Sequence, residues 1–413
     1  MEYAELLRGI SYAGTPPKGE AALVTQDSRK VVPGAVFVAV QGRGVDGHDF
    51  AAAAVQAGAG MVVAQRALGL ENEVVVADTR AAYAEMCANF FGRPAEKLVL
   101  VGVTGTNGKT TVASVLKQVL EKSGMPCGLI GTVQSEIGTL EIPAKFTTPE
   151  AWDLHALLAQ MLKAGCTHVV MEASSQALDQ ARLGGLHFAL GIFTNLTQDH
   201  LDYHGDMQRY FAAKMQLFEQ SDALLANLDD AFGRRMMDEA PCPVKKSFST
   251  ERNMADFTAR NIDLRSEGVR FAFLGEDFLE PVRFAIPGAY SVANALAAGA
   301  AAVMLGVGGA AAAKALSDVP GVKGRCEVLH SGAFTVIRDY AHTADGLEKL
   351  LGALKPFVPK RLVVLFGCAG NRDAGKRPAM GEAVASWADA IYLTADNPRT
   401  EPVDKTMEDA MEP

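Results

Sequence analysis

The chain has 413 residues, 49% hydrophobic and 21% charged, with a net charge of −9; that length asks for two to three domains and that composition for a soluble globular protein. No basic tract occurs along it, which argues against nucleic acid as a partner. Its six cysteines lack metal-binding or redox spacing, and the N-terminus MEYAELLRGISYAG lacks the basic and apolar segments of a signal peptide, so reduced thiols and a cytoplasmic location are expected.

Residues 1–97 carry short β-like runs, VFVAV (36–40) and MVVA (61–64), among Ala-rich helical segments, and predict a small α/β domain. GRPAEK (92–97) reads as a linker. From residue 98 the pattern becomes apolar strand, Gly-rich loop and amphipathic helix: LVLVGVT, GTNGKTT, VASVLKQVLEKSG. That order opens a βαβ unit in a doubly wound parallel sheet. Further buried strands are predicted at THVVMEA (167–173), LGIFTN (190–195) and ALLAN (223–227), and VRFAFLG (269–275) near PVRFAIPG suggests a β-meander added to that sheet. No charge lies between Arg283 and Lys314, and 292–313 is long enough to span a membrane. Its Ala and Gly content, Asn294 and the preceding Pro287-Gly288 make it instead a buried helix followed by a Gly-rich connector, with no membrane insertion. A third unit holds the strands FTVIRDYA (334–341), RLVVLFGC (361–368) and AIYLTADN (390–397), a second doubly wound, Rossmann-like sheet. The expected α/β architecture is therefore three domains, at 1–97, 98–320 and 321–413.

Gly105-Thr106-Asn107-Gly108-Lys109-Thr110-Thr111 carries the strongest chemical signal. After an apolar strand and opening a helix, its glycines let backbone N–H groups close around phosphates, and the helix N-terminus adds a positive dipole end. Lys109 would neutralise the β- and γ-phosphates of ATP, and the Thr110 hydroxyl would ligate Mg²⁺. Val103 stands where the strict pattern has its first glycine, and the competing reading is a merely structural turn.

This variant loop resembles that of the Mur ligases of bacterial cell-wall synthesis, and other segments match along nearly the whole chain. The resemblance implies an ATP-dependent amide ligase that forms an acyl phosphate. In VMEASS, Glu172 resembles the family's magnesium-bridging glutamate; alone, a strand-ending Glu is more often a solvated cap. In TNLTQDHLDYHGD, His200 matches a metal-contacting histidine, whereas His200 and His204 as a zinc pair lack the flanking ligands zinc needs. Spacing alone makes Lys214 in YFAAKMQLF a surface lysine; the resemblance makes it the lysine carbamylated by CO₂, whose anion helps to hold a second Mg²⁺. Asn294 matches the adenine-contacting asparagine, and Arg325 and Asp339 match residues reaching ATP from the third domain.

For the substrate, the resemblance assigns Gln26, Ser28 and the loop Arg43, Gly44 and Val45 to the uridine diphosphate end. It assigns Thr147, Thr148, Ser174, Gln180 and Arg182 to the muramyl-peptide. Gln176 departs from the usual histidine, as do Ala344 from Pro and Ser291 from Asn. The stretch Asp396-Asn397-Pro398-Arg399, with Arg372, resembles the sequence by which members add meso-diaminopimelate to the UDP-muramyl-dipeptide. Diaminopimelate carries a distal ammonium and carboxylate; a buried Arg399 can bind the carboxylate bidentately and Asp396 can pair with an ammonium.

Within the ligases, the alternatives are a relative adding lysine to the same precursor and a folylpolyglutamate-synthetase-like enzyme; outside them, a regulator that only binds nucleotide. A monomer is the default state. Family members continue past the DNPR segment, whereas this chain stops at Pro413, so a truncated C-terminal domain with weak or absent ligation is expected.

Overall fold

The computed structural model describes residues 1–42 and 44–411. Arg43, expected at the uridine diphosphate end of the substrate, lies outside the described residues.

The first region is a five-stranded sheet in which Tyr12–Ala13 and Glu73–Val76 pair antiparallel, followed in parallel by Met61–Ala64, Val36–Val38 and Val24–Thr25. Two of these runs are visible in the sequence. Of the others, two are only two residues long, and Glu73–Val76 opens on a charge. The segment 92–97 is not loose: Arg93 donates to Glu85 at 2.6 Å and Asn89 at 2.8 Å, and Pro94 is buried. Phe90 and Phe91 pack their rings on Trp152 of the following region, which fastens the two regions together.

The central sheet has eleven strands. At its middle, Val99–Thr104 lies between His168–Glu172 and Leu190–Phe193, all parallel. Successive side chains go to opposite faces. Val101 and Val103 join one apolar cluster with Val112, Val115, Leu116 and Val119 of the helix Lys109–Lys122. Leu100 joins the other, with Leu154 and Leu158 of Ala151–Lys163 and Leu217 of Met207–Glu219. Each such fully buried aliphatic side chain contributes about 1.5–3 kcal/mol. The helix Lys109–Lys122 stops at Gly124, whose φ of 82° few other residues adopt and which lets Met125 N–H bond back to Leu120 at 2.9 Å.

The meander is present: Phe257–Arg265, Gly268–Leu274 and Leu279–Phe284 run antiparallel at one edge. At the other edge, Gln134–Ile137 and Leu140–Pro143 form a hairpin that the polar sequence did not announce. The uncharged stretch forms the buried helix Ala289–Met304, but the Gly-rich connector is shorter than expected. It ends at Gly308, and a second helix, Gly309–Ser317, takes up the remaining alanines, which favour helix over loop. No helix among the described residues is long and apolar enough to cross a membrane.

The C-terminal region departs from the expectation in one respect. Val363–Ala369 and Ala390–Asp396 pair in parallel, but Thr335–Arg338 does not join them. It pairs antiparallel with Glu327–Ser331 across a tight turn closed by Gly332 N–H to Phe334 carbonyl at 3.1 Å. A partner a few residues away closes a shorter loop than a distant parallel strand does. Glu327–Ser331 escaped sequence reading because it is exposed almost throughout and shows no alternation.

Candidate functional site

The phosphate loop starts late. Val103 is still in the strand, fully buried, so the turn begins only at Gly105. Gly105 has φ 147°, and a Cβ there would overlap the Thr194 hydroxyl. Gly108 has φ 87° and sits against the Asn294 side chain, which a Cβ would meet at 2.5 Å. Asn294, from the helix Ala289–Met304, is thereby placed on the loop. Asn107 donates to Asp345 of the C-terminal region at 2.9 Å, and its N–H donates to Asn195 at the same distance. Thr106 and Thr111 are buried. The Lys109 ammonium folds back onto the Gly105 and Thr106 carbonyls, each at 2.9 Å.

Thr110 and Glu172, sixty-two residues apart, meet at 2.9 Å. Glu172 is 1% exposed and also accepts from the Thr132 N–H at 2.7 Å and hydroxyl at 2.9 Å. Arg325 arrives from beyond the central sheet and donates to the Thr110 hydroxyl at 2.8 Å, its guanidinium lying over the Tyr340 ring. Its Nε is buried with no hydrogen-bond partner among the described residues, a donor left over for something else. Asp339 accepts from the N–H groups of Cys326 (2.8 Å) and Ala341 (2.7 Å), so it braces the turn that presents Arg325.

Lys214 is 1% exposed, not on the surface that its spacing alone suggests. Its ammonium donates to the Gly105 carbonyl at 2.9 Å and lies 4.5 Å from the centroid of the Tyr210 ring. Burial, reinforced by the Lys109 charge nearby, pushes the Lys214 ammonium well below its ordinary pKa. His200, at φ 54°, meets the Tyr210 ring edge-on, ring centroids 6.2 Å apart. Beside it is Asp199, unremarked in the sequence. It is buried, yet its carboxyl is held below the usual range: burial would raise it, and His200, Lys376 and His342 outweigh that. Lys376 approaches Asp199 to 3.3 Å and so ties the C-terminal region to this corner.

Thr110 and Glu172 offer hard oxygen donors at one point, which suits Mg²⁺. Among the described residues no group of three or more His, Cys, Asp and Glu side chains could hold a metal ion. Mg²⁺ held by one or two protein oxygens and completed by substrate phosphates needs no such cage.

The substrate-side residues fall into two places. Thr148 donates to the Glu172 carbonyl at 2.7 Å, its hydroxyl lies 3.2 Å from that of Ser174, and the Thr147 and Thr132 hydroxyls lie 3.1 Å apart. Gln180 and Arg182 share a cleft with Gln26 of the first region and with Arg80, Tyr83 and Glu150. Glu150 joins the two regions there, accepting from Gln26 at 3.0 Å and pairing with Arg182 at 2.8 Å. Neither Glu150 nor Arg80 stood out in the sequence, although a Glu directly after Thr147-Thr148-Pro149 was a signal available to find. Ser28 opens a short 3-10 turn next to Gln26; Gly44 and Val45 are exposed. At the far end, Arg372, Asp396, Asn397 and Arg399 are exposed, and Pro398 is partly buried. The burial of Arg399 expected from its chemistry is not found: among the described residues its guanidinium reaches the Asn371 carbonyl alone, at 3.5 Å. Two loops on the rim of a two-stranded pair give it nothing to be buried in.

Family profiles match three stretches: the Mur ligase family, catalytic domain, over residues 20–90; the Mur ligase middle domain over 103–302; and the Mur ligase, glutamate ligase domain, over 324–412. A UDP-N-acetylmuramoyl-L-alanyl-D-glutamate--2,6-diaminopimelate ligase of Clostridium perfringens is 39% identical over 425 residues, covering 100% of this chain and 87% of that protein. A second such ligase, from Synechocystis sp., is 40% identical over 402 residues, covering 94% and 80%. The solved structure of a ligase of the same name superposes with a TM-score of 0.77 at 32% identity, covering 99% of this chain and 85% of that one.

Proposed function

The chain belongs to the Mur ligase family, and on that premise we propose that it adds meso-diaminopimelate to UDP-N-acetylmuramoyl-L-alanyl-D-glutamate at the expense of ATP. The product is a peptidoglycan precursor, and the setting is the cytoplasm, in keeping with six free, buried cysteines. The observation that carries the reading is the meeting at Thr110 of Glu172 from the central sheet and Arg325 from the C-terminal region.

Two negative groups must react: the precursor's carboxylate attacks the terminal phosphorus of ATP, ADP leaves, and an acyl phosphate forms. The amine of the diamino acid then attacks the acyl carbon, phosphate leaves, and the amine's proton is lost as the amide forms. Lys109 and the N–H groups of the phosphate loop hold the triphosphate and offset its charge. Arg325, whose Nε has no partner among the described residues, adds a cation from the C-terminal domain. Thr110 and Glu172 would hold Mg²⁺, with His200 and Lys214 serving a second site; the metal supplies charge neutralisation between the reacting groups. Lys214 is proposed to act as its carbamate. Its burial favours the neutral amine, the form that adds to CO₂ with loss of one proton.

The cleft of Gln26, Gln180 and Arg182 lies between the first two domains and suits an extended nucleotide-sugar peptide. The Asp396–Arg399 loop has the charges to distinguish diaminopimelate from lysine, which lacks the distal carboxylate. The test is ADP release over many turnovers: it should require both the UDP-muramyl-dipeptide and the diamino acid, because the first step by itself yields at most one ADP per enzyme. Multiple-turnover ADP release with either one alone would contradict the assignment.

A further inference from the structure

The diamino acid loops contain a buried ionic network that the reaction itself does not use. Arg377 is 1% exposed and opens the helix Arg377–Ala385 directly beneath them. Its two terminal nitrogens form a fork on Glu401, Nη1 to Oε1 at 2.9 Å and Nη2 to Oε2 at 2.7 Å. Nη1 also reaches Asp409 at 2.6 Å, and Nη2 the Ala369 carbonyl at 3.2 Å. Glu401 accepts the Asn371 N–H at 2.8 Å, and the Asn371 side-chain oxygen accepts from the Thr400 N–H at 3.0 Å and hydroxyl at 2.9 Å. One guanidinium thus ties together the loop before it, which carries Arg372, and the loop after the last strand, which carries Arg399.

Both loops are in conformations that need holding. Asn371, Asn397 and Arg399 have φ of 51°, 42° and 55°. Non-glycine backbone in that region persists only where the surroundings enforce it. The loops also touch: Gly370 N–H donates to the Asn397 carbonyl at 3.2 Å, and a Cβ on Gly370 would overlap the Pro398 carbonyl. An apolar side chain of similar size could fill the volume of Arg377 without the cost of desolvating a charge, so the network supplies registry more than stability.

We infer that Arg377, acting through Glu401 and Asn371, is a positioning residue for the incoming diamino acid. It sets the spacing of Arg372 and Arg399 without touching the substrate. This rests on the ligase reading above. Steady-state ADP release by the full chain tests it, with each substrate varied in turn. Glu401→Gln should raise KM for meso-diaminopimelate about tenfold, the scale of one charge-assisted hydrogen bond. KM for ATP and for the UDP precursor should stay within about twofold. Asn371→Ala should show the same split to a smaller degree, and Arg377→Lys should recover part of what Arg377→Ala loses. If Arg377→Ala fails to fold, the two loop variants still decide. An unchanged KM for diaminopimelate in both, or a rise shared by all three substrates, overturns the positioning role alone. Absence of diaminopimelate-dependent ADP release in the wild type overturns the ligase reading and this role with it.

Discussion

The phosphate loop and the loop around Arg399 are both short turns at strand ends, yet they are built differently. The first rises from a strand buried on both faces, and Lys109, Thr110, Glu172 and Lys214 are fixed by hydrogen bonds within a sheet of eleven strands. The second stands at the rim of two parallel strands, its charged side chains exposed and its backbone held by one buried arginine. On the proposed function, phosphoryl transfer would use the rigid scaffold, where donors need no reorganisation. The choice of amino acid would fall to loops, which can differ without disturbing that scaffold.

The sharpest way to break this contrast is at Lys109. Lys109→Ala should lower turnover by about 10³-fold, the upper scale for losing a preorganised charge donor, without altering the circular dichroism of the chain. Lys214→Ala should lose roughly 10²- to 10³-fold and regain part of it when a short carboxylic acid supplies the missing anion. Full activity in the alanine variant without rescue would contradict the carbamate.

Burial in the central region also predicts a pH effect. His155, on the helix Ala151–Lys163, is 0% exposed, and neither ring nitrogen has a hydrogen-bond partner among the described residues. Burial lowers its pKa from 6.5 to about 4. The unfolded chain therefore takes up this proton first, so the contribution of His155 to stability is complete above pH 6.5 and is lost as pH falls towards 4. The loss should reach up to about 3 kcal/mol, and denaturant melts of His155→Leu should show a shallower pH dependence over that window. A smaller effect is expected at the exposed loop. Arg399→Ala should cost about 1.5–2 kcal/mol in kcat/KM for diaminopimelate, with KM for ATP unchanged.

The central region was also the more legible in the sequence. LVLVGVT running into GTNGKTT has a periodicity and punctuation that few other structures produce, and the helix, the parallel neighbours and the meander follow from runs of comparable strength. Among the strands that escaped are hairpin strands of polar or exposed sequence, Glu327–Ser331 and Gln134–Ile137, and two inside the central sheet, Cys127–Ile130, only four residues long, and Val244–Ser249, which is mostly polar. Among site residues, those in recognisable motifs could be named, but not what they touch. Arg325 meets Thr110 from 215 residues away, and Glu150 meets Gln26 from 124. Nothing local encodes such pairings. Arg377 illustrates the limit best: in GKRPAMGEAV it reads as a solvated residue at a helix start, and only the fold shows it buried between two carboxylates.

The most direct test of the functional reading offers the purified chain UDP-N-acetylmuramoyl-L-alanyl-D-glutamate and ATP with either meso-diaminopimelate or lysine, and identifies the product by mass. The account predicts the diaminopimelate tripeptide and little or no lysine product. Equal incorporation of lysine would contradict the role given to the Asp396–Arg399 loop, and no amide product with either would contradict the assignment as a ligase.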